Sequence, residues 1–245
     1  MSDGPSTYAA TRPVPYLLAL VASQVVTCPV RYGAAGALVT PSAGTLVVTR
    51  PDGTVLAGTT VTIVGGVASC TMPSMAAETA SAGWSLVWSL TISGVAYPFR
   101  FDGYACTYVP TCSVSVGELF RYEPELRSRV PQMQSDRGDG TGWQPQVDDA
   151  YYALLRKMID DGNRPWLVSD MSGTQEWIRT LALMRCVRAL STASDDVWGK
   201  KAVDYRFEHK AAEAALKVHY DGDDAGTRRP VSSSFRLAPA GRPVW

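Results

Sequence analysis

The run Trp84-Ser85-Leu86-Val87-Trp88-Ser89-Leu90-Thr91-Ile92 is followed by Ser93-Gly94 and then by Val95, Tyr97, Phe99 and Phe101. In both arms of this segment a large apolar side chain stands at every second position. Because side chains on a β-strand point alternately to opposite faces, this spacing predicts two antiparallel strands with one buried face each. Ser93-Gly94 supplies the two-residue turn between them. The segment therefore predicts a hairpin within an antiparallel β domain.

Two further hairpins precede this one. Pro51-Asp52-Gly53 separates 45–49 from 54–56, and Gly65-Gly66 separates 61–64 from 67–70. Pro presets the first turn position, and Gly tolerates positive φ at the last. The apolar run 17–26 is interpreted as another strand. Short strands without intervening helices predict an immunoglobulin-like antiparallel β-sandwich over residues 16–110.

Charge is nearly absent from this β segment. Residues 16–110 contain three basic and three acidic residues, whereas residues 111–222 contain 15 basic and 17 acidic ones. An isolated domain usually exposes more charge, so the β segment is expected to be either unusually buried or covered by other chains, which favours an assembly. The whole chain carries 23 residues of each sign, and its neutral balance gives no reason to expect nucleic-acid binding across the whole surface.

The apolar period changes to that of helices near residue 113. Ser115 followed by Glu118 forms a capping box for a short helix that Pro124 interrupts. A second helix is predicted from near Pro145 to just before Gly162, because one apolar face is formed at helical spacing by Val147, Tyr151, Leu154 and Met158.

Two longer helices follow. Ser172 with Gln175 predicts a capping box for a helix over 174–191, whose wide apolar stripe indicates the most buried helix. Ser194-Asp195-Asp196 opens a last amphipathic helix over 197–220. Together these segments predict a helical bundle spanning 113–222, so the expected fold class is α+β with two domains.

Both ends of the chain lack a predicted core. Residues 1–15, rich in Ser, Pro and Thr, are predicted to form a flexible or partner-bound arm. Residues 223–245 are predicted to form an extended tail. Since arginine and large apolar side chains are typical of protein interfaces, this tail is expected to dock on a partner. The candidate partner-binding residues are Arg228, Arg229, Phe235, Arg236, Leu237, Arg242 and Trp245.

No motif for catalysis or metal binding emerges from the sequence. The five cysteines lack CxxC spacing and are interpreted mainly as buried apolar residues, while a disulfide between Cys106 and Cys112 stays open. The segment 136–140 resembles part of a calcium loop, but Val147 occupies the position where such a loop needs Glu. Neighbouring acids are interpreted as helix-end charge: Asp148-Asp149 complements the helix dipole, whereas Asp160-Asp161 stands at a C-terminal end, does not fit that rule and is interpreted as solvated charge alone. We expect no enzymatic activity, no cofactor and no metal.

The helical half resembles the head-tail connector (adaptor) family of tailed bacteriophages. The resemblance depends on Glu125-Leu126-Arg127-Ser128-Arg129-Val130-Pro131 at the end of the first helix, on the helix 148–161, on the helix 174–191 with Arg185 and Arg188, and on the final helix 197–220 before a long tail. It covers about 110 of the 245 residues and does not account for the β-sandwich.

The resemblance implies a virion structural protein in the neck, made in the bacterial host cytoplasm. It implies a homo-oligomeric ring, twelvefold in this family, that binds portal and tail or neck proteins and passes DNA without sequence specificity. In this family the C-terminal tail reaches the portal, here residues 228–245. No membrane association is expected. The alternative prediction is a carbohydrate- or receptor-binding β-sandwich of a phage tail.

Overall fold

The structure is a computed structural model that describes residues 8–10, 14–33, 36–129, 142–193, 196–220 and 234–236. The chain divides into two compact units, Met1–Val109 and Pro110–Trp245. Four α-helices and thirteen strands occur in the described residues, and the sheets are mainly antiparallel. The α+β class predicted from the sequence is therefore confirmed.

The first unit contains strands alone in its described part. In chain order these are β1 (Tyr8–Ala9), β2 (Tyr16–Ala19), β3 (Val25–Cys28), β4 (Arg31–Tyr32), β5 (Ala43–Thr49), β6 (Val55–Thr60), β7 (Thr62–Val64), β8 (Val67–Thr71), β9 (Ser81–Ile92) and β10 (Val95–Cys106). All three predicted hairpins are confirmed as β5–β6, β7–β8 and β9–β10.

The turn residues explain these hairpins. Gly65 and Gly66 both adopt positive φ, as a two-residue turn between twisted strands requires. At the β9–β10 turn Ser93 has φ of 49° and Gly94 has φ of 80°. Ser93 is a non-glycine residue in the left-handed region, where a side chain is uncommon. The long alternating strands on either side hold it there.

Two sheets share one hydrophobic core. One has the strand order β2-β10-β9-β5-β6, and the other has the order β3-β8-β7. Trp84, Leu86, Trp88 and Leu90 alternate with less buried residues along β9, as the sequence predicts. They belong to the same buried cluster as side chains of the second sheet, including Cys28 and Cys70.

The prediction of one strand over 17–26 is wrong, because this run forms the separate strands β2 and β3. The Gln24 side chain ends β2: its amide both accepts from the Ala19 N–H and donates to the Ala19 carbonyl, each at 2.9 Å. β2 also departs from the antiparallel expectation, since it pairs in parallel with the end of β10.

Part of the predicted N-terminal arm belongs to the β unit. β1 pairs with β4, and the Tyr8 ring lies 5.0 Å from the Tyr97 ring in an edge-to-face arrangement. Residues 1–7 and 11–13 lie outside the described residues.

The second unit combines helices with a small sheet. Its α-helices are α1 (Val116–Tyr122), α2 (Gln144–Asp160), α3 (Gln175–Leu190) and α4 (Val197–Ala215). Short 3-10 helices span Pro124–Ser128, Pro165–Leu167 and Ser172–Thr174, and the strands are β11 (Val168–Asp170), β12 (Lys217–Tyr220) and β13 (Ser234–Arg236).

The Ser115 half of the first predicted capping box is confirmed, whereas the Glu118 carboxylate accepts from Gln175 and Arg179 instead of the cap backbone. The second predicted capping box is wrong. Ser115 accepts a hydrogen bond from the Glu118 N–H at 3.2 Å, so it caps α1. Ser172 instead lies in a 3-10 helix, where its hydroxyl donates to the Asp170 carboxylate at 2.6 Å. Asp170 therefore competes for the group that would have capped α3, which begins without a side-chain cap.

The last helix begins as predicted but ends earlier. Asp196 caps α4 and accepts hydrogen bonds from the Gly199 N–H and from the Thr192 N–H, which together hold the pKa of its carboxyl below the usual range. The helix ends at Ala215 instead of reaching residue 220. Leu216 and Val218 are both buried, so the apolar period there is two, as in the strand β12 that pairs with β11.

Candidate functional site

The predicted partner-binding residues lie mostly beyond the described part of the chain. Arg228, Arg229, Leu237, Arg242 and Trp245 fall outside the described residues. Phe235 and Arg236 are placed in β13, whose backbone pairs with β12. The structure thus brings two of the seven candidate positions onto the edge of a sheet in the helical unit.

The small sheet is held tightly to the helical unit. Val168 of β11 and Val218 of β12 are buried, and β12 joins both neighbouring strands. A Cβ atom at Gly173 would lie only 2.3 Å from the Lys217 carbonyl oxygen. The turn that leads into α3 is therefore in backbone contact with β12, and residues beyond α4 are anchored by this sheet.

Ion pairs connect α1 and the residue that ends it, Glu123, to the helices α3 and α4. The Glu123 carboxylate is buried and accepts from Lys201 Nζ at 2.5 Å and from the Tyr205 hydroxyl at 2.9 Å. The Glu118 carboxylate lies 3.4 Å from Arg179 Nη1 on α3. The Arg179 guanidinium also stacks over the Tyr122 ring at 4.1 Å.

Two further ion pairs connect α2 to the same helices. Asp149 Oδ2 lies 3.2 Å from Arg185 Nη1 on α3, and Lys157 Nζ lies 3.3 Å from Glu213 Oε1 on α4. All four helices are thus joined by charge pairs between different elements. Charged side chains in this unit have a structural role, which explains part of its contrast with the charge-poor β unit.

A groove of 830 Å³ lies between the C-terminal half of α3 and α4. Its apolar part is formed by Met184, Ala193, Ala202 and Val203, with Gly199 beside them. Its polar part is formed by Arg188, Ser191, Thr192, Arg206, His209, Lys210 and Glu213. The groove therefore offers both an apolar contact surface and a cluster of basic groups.

The basic groups of the groove are exposed and available. Arg188, Arg206 and Lys210 have no ion-pair partner within the described ranges, and all three are exposed. Glu213, the acid of the groove, is already engaged with Lys157. The groove consequently has an excess of positive charge that suits an acidic ligand surface.

His209 is fixed at the edge of this groove. Its Nδ1 lies 3.1 Å from the Thr180 hydroxyl, which donates its single proton to the Glu176 carbonyl at 2.9 Å. The Trp177 ring lies 4.7 Å from the imidazole. Burial lowers the pKa of His209, an effect opposed by Glu213 and by the Trp177 carbonyl.

Large apolar side chains are exposed next to the groove. Phe207 is 65% exposed and Val203 is 50% exposed, and they stand four residues apart on α4. The opposite side of the helix is buried at Trp198 and Ala212. α4 thus has an apolar side chain pair on its solvent face in addition to its core face.

The sequence did not single out this groove. Arg206 and Lys210 stand at i, i+4 on α4, beside Val203 and Phe207 at the same spacing, so the sequence contains the signal for a second face of this helix. Arg188, however, belongs to α3. Its position opposite the α4 residues depends on how the two helices pack, which a helical period alone does not specify.

The cysteines behave as the predicted apolar residues. All five are free thiols, and Cys28, Cys70, Cys106 and Cys186 are buried. Burial raises the pKa of Cys106 and of Cys186 to about 12, so neither thiol is activated. Cys106 and Cys112, the pair that the sequence left open, are not bonded to each other.

Three other features bear on function. Within the described ranges no three acidic, His or Cys side chains group as metal ligands. Over the same residues no helix has the length and apolarity needed to span a membrane. Trp84 and Trp88, the tryptophans of the β hairpin, are both buried, so they offer no stacking surface for a sugar ring.

Comparisons with known proteins find only weak structural similarity. No protein-family model and no curated protein matches the chain. Solved structures that match include Escherichia coli alpha-2-macroglobulin activated by porcine elastase, with 18% identity and a TM-score of 0.32 over 43% of this chain and 9% of the other. Salmonella alpha-2-macroglobulin reacted with methylamine matches with 15% identity and a TM-score of 0.30 over 43% of this chain and 6% of the other.

An engineered protein matches with 15% identity and a TM-score of 0.29, over 40% of this chain and 20% of the other. The chain thus spans a fifth or less of the length of these proteins. Likenesses this low define neither the topology of the β unit nor a function.

Proposed function

We propose that the chain is a virion structural protein, a head-tail connector subunit that forms a homo-oligomeric ring between portal and tail and lets DNA pass. One observation on the helical unit supports this proposal. Its helices are joined by internal ion pairs, yet it also exposes a groove whose basic side chains have no ion-pair partner in the described residues, together with the exposed Phe207. A bundle that satisfies its own core but leaves such a surface is suited to contacts with other chains. The role requires no catalysis, cofactor or metal.

The order of elements in the helical unit supports the same proposal. A short helix is followed by the three long helices α2, α3 and α4, and the chain then continues into its C-terminal segment. This is the order on which the resemblance to the connector family depends. By that resemblance the protein would act in the virion neck after synthesis in the bacterial cytoplasm.

The β unit is proposed to be an immunoglobulin-like sandwich. Two sheets enclosing one core support this finer description, and the parallel pairing of β2 with β10 at the sheet edge is compatible with it. Its low charge fits a module packed beside other subunits or against the tail. The alternative role, carbohydrate or receptor binding, gains no support from Trp84 and Trp88, which are buried.

The C-terminal segment is proposed to reach the portal through Arg228, Arg229, Phe235, Arg236, Leu237, Arg242 and Trp245. Deleting 237–245 preserves β13, so we expect the shortened protein to stay folded and to lose binding to the portal of the same virus. Circular dichroism checks folding, and co-sedimentation with portal particles checks binding. Unchanged affinity for the portal would remove the segment 237–245 from the site.

The ring itself is tested on the purified full-length chain. Light scattering and negative-stain imaging, alone and with portal particles, should show a closed ring of many copies. The opposite result is a monodisperse monomer at every concentration that also fails to bind portal particles. That result would overturn the connector proposal.

A further inference from the structure

We infer that the groove between α3 and α4 is the surface through which one copy of this chain contacts the next copy in a ring. The inference rests on the proposed function and assigns a partner to one surface of the helical unit. The groove presents Arg188, Arg206 and Lys210 around an apolar patch. Its occupant is an acidic, partly apolar surface of a second copy.

The residues that line the groove favour a protein partner over nucleic acid. Met184, Ala202 and Val203 contribute apolar surface to the groove, and Phe207, one turn beyond Val203 on α4, is exposed. Phosphate backbones are bound mainly by basic and polar groups, so they would leave this apolar surface uncovered. An apolar centre with arginine and lysine beside it is typical of protein interfaces.

Charge complementarity identifies the second copy as the occupant. The segment 111–222 contains 15 basic and 17 acidic residues. Three of the basic residues and one of the acidic residues line the groove, which leaves 12 basic and 16 acidic residues in the rest of the segment. The remainder of the helical segment is therefore net acidic while the groove is net basic. Exposed acids without an ion-pair partner within the described ranges include Asp160 on α2 and Asp204 on α4.

A ring requires this kind of asymmetry. Around a ring each interface joins two different patches of the same chain, so a subunit must carry a surface and its complement. A basic groove with an apolar patch on an otherwise net acidic helical segment meets that requirement. Contacts through identical patches would instead bring Arg188, Arg206 and Lys210 of two copies together, which like-charge repulsion opposes.

The test reverses charge inside and outside the groove. The double variant Arg188→Glu, Lys210→Glu changes the groove, and Arg156→Glu, Lys200→Glu makes the same change at exposed basic residues outside it. Ring assembly of each full-length variant is followed by sedimentation velocity and negative-stain imaging. We expect the groove variant to raise the concentration for half-assembly roughly a hundredfold. The control should assemble as the wild type does.

Folding is checked in parallel by circular dichroism and thermal unfolding. If the glutamate pair prevents folding, the milder pair Arg188→Gln, Lys210→Gln replaces it, with an expected rise of about tenfold. Rings formed equally well by wild type and groove variant would overturn the inference and leave the connector proposal intact. Absence of rings in the wild type, with or without portal, would overturn the connector proposal itself.

Two further outcomes would also contradict the inference. Equal loss of assembly in groove and control variants would indicate a general charge effect instead of a docking surface. Fluorescence anisotropy with a labelled DNA duplex covers the nucleic-acid alternative. Loss of DNA binding in the groove variant with unchanged rings would assign the groove to DNA.

Discussion

Glu123 is the buried acid that joins α1 to α4. It is 6% exposed, and its carboxylate accepts from Lys201 and from the Tyr205 hydroxyl. Replacing Glu123 by Ala leaves both donors without this acceptor. We expect Glu123→Ala to lower the free energy of unfolding by about 2 kcal/mol, measured by urea denaturation.

The neighbouring acid provides the control for this change. Glu125 is exposed, and its side chain has no ion-pair partner in the described part of the chain. Glu125→Ala should therefore stay within about 0.5 kcal/mol of wild type. Equal unfolding midpoints for the two variants would show that the Glu123 contacts do not stabilise the bundle.

His209 gives the helical unit a pH-dependent contribution to stability. Burial lowers its pKa from the usual 6.5 in the folded protein, and Arg185 acts in the same direction against Glu213. At pH values between the pKa of His209 in the folded protein and 6.5, the imidazole is protonated in the unfolded chain but neutral in the folded one. The free energy of unfolding therefore falls as pH falls through this window. We expect His209→Gln to flatten the dependence of the unfolding midpoint on pH there.

The second histidine is the matched control for that measurement. His219→Gln leaves the contact between His209 and Thr180 in place, so the dependence below pH 6.5 should persist. The explanation through His209 is wrong if His209→Gln and wild type lose stability in parallel as pH falls.

At the scale of elements, the small sheet should depend on the absence of a side chain at Gly173. A methyl group there would meet the Lys217 carbonyl oxygen at 2.3 Å, so β12 or the 3-10 helix must shift. We expect Gly173→Ala to cost about 2 kcal/mol in thermal or urea unfolding. Gly117→Ala in α1 is the matched control, because its methyl group meets Ser115 Oγ at 3.7 Å. That substitution should be neutral or slightly stabilising.

Elements with local signals could be predicted from the sequence. The hairpins β5–β6, β7–β8 and β9–β10 follow from alternation and from glycines that accept positive φ. α1 and α4 begin where Ser115 and Asp196 cap them. In each case the cause lies within a few residues of the effect.

Elements that depend on distant partners could not be predicted in this way. β12 continues directly from α4, and Ala214 and Ala215 favour a helix there. Its extended backbone is stabilised by pairing with β11, which lies about 50 residues earlier in the sequence. The α3–α4 groove has the same origin, since Arg188 meets α4 through tertiary packing alone.

At the scale of the whole molecule, the chain joins two stabilisation strategies. The β unit is stabilised by one apolar core with few charges, among which Arg50 and Glu78 pair at 2.8 Å. The helical unit adds ion pairs between its helices to its own buried residues. Each unit therefore contains the interactions that it needs, and each has the size of an ordinary domain.

We expect the two units to fold separately when the chain is divided between Val109 and Pro110. The cut respects the local contacts, because the Pro110 carbonyl accepts from the Tyr151 hydroxyl of α2 at 2.6 Å and so belongs to the helical unit. Fragments 1–109 and 110–245 should each unfold cooperatively, with β and helical circular dichroism respectively. A fragment without a cooperative transition would mean that its core needs the other unit. The groove lies within the helical unit, so fragment 110–245 should still assemble into rings if α3 and α4 supply the contact between copies. If ring assembly also requires residues 1–109, the contact that determines assembly lies in the charge-poor β unit instead.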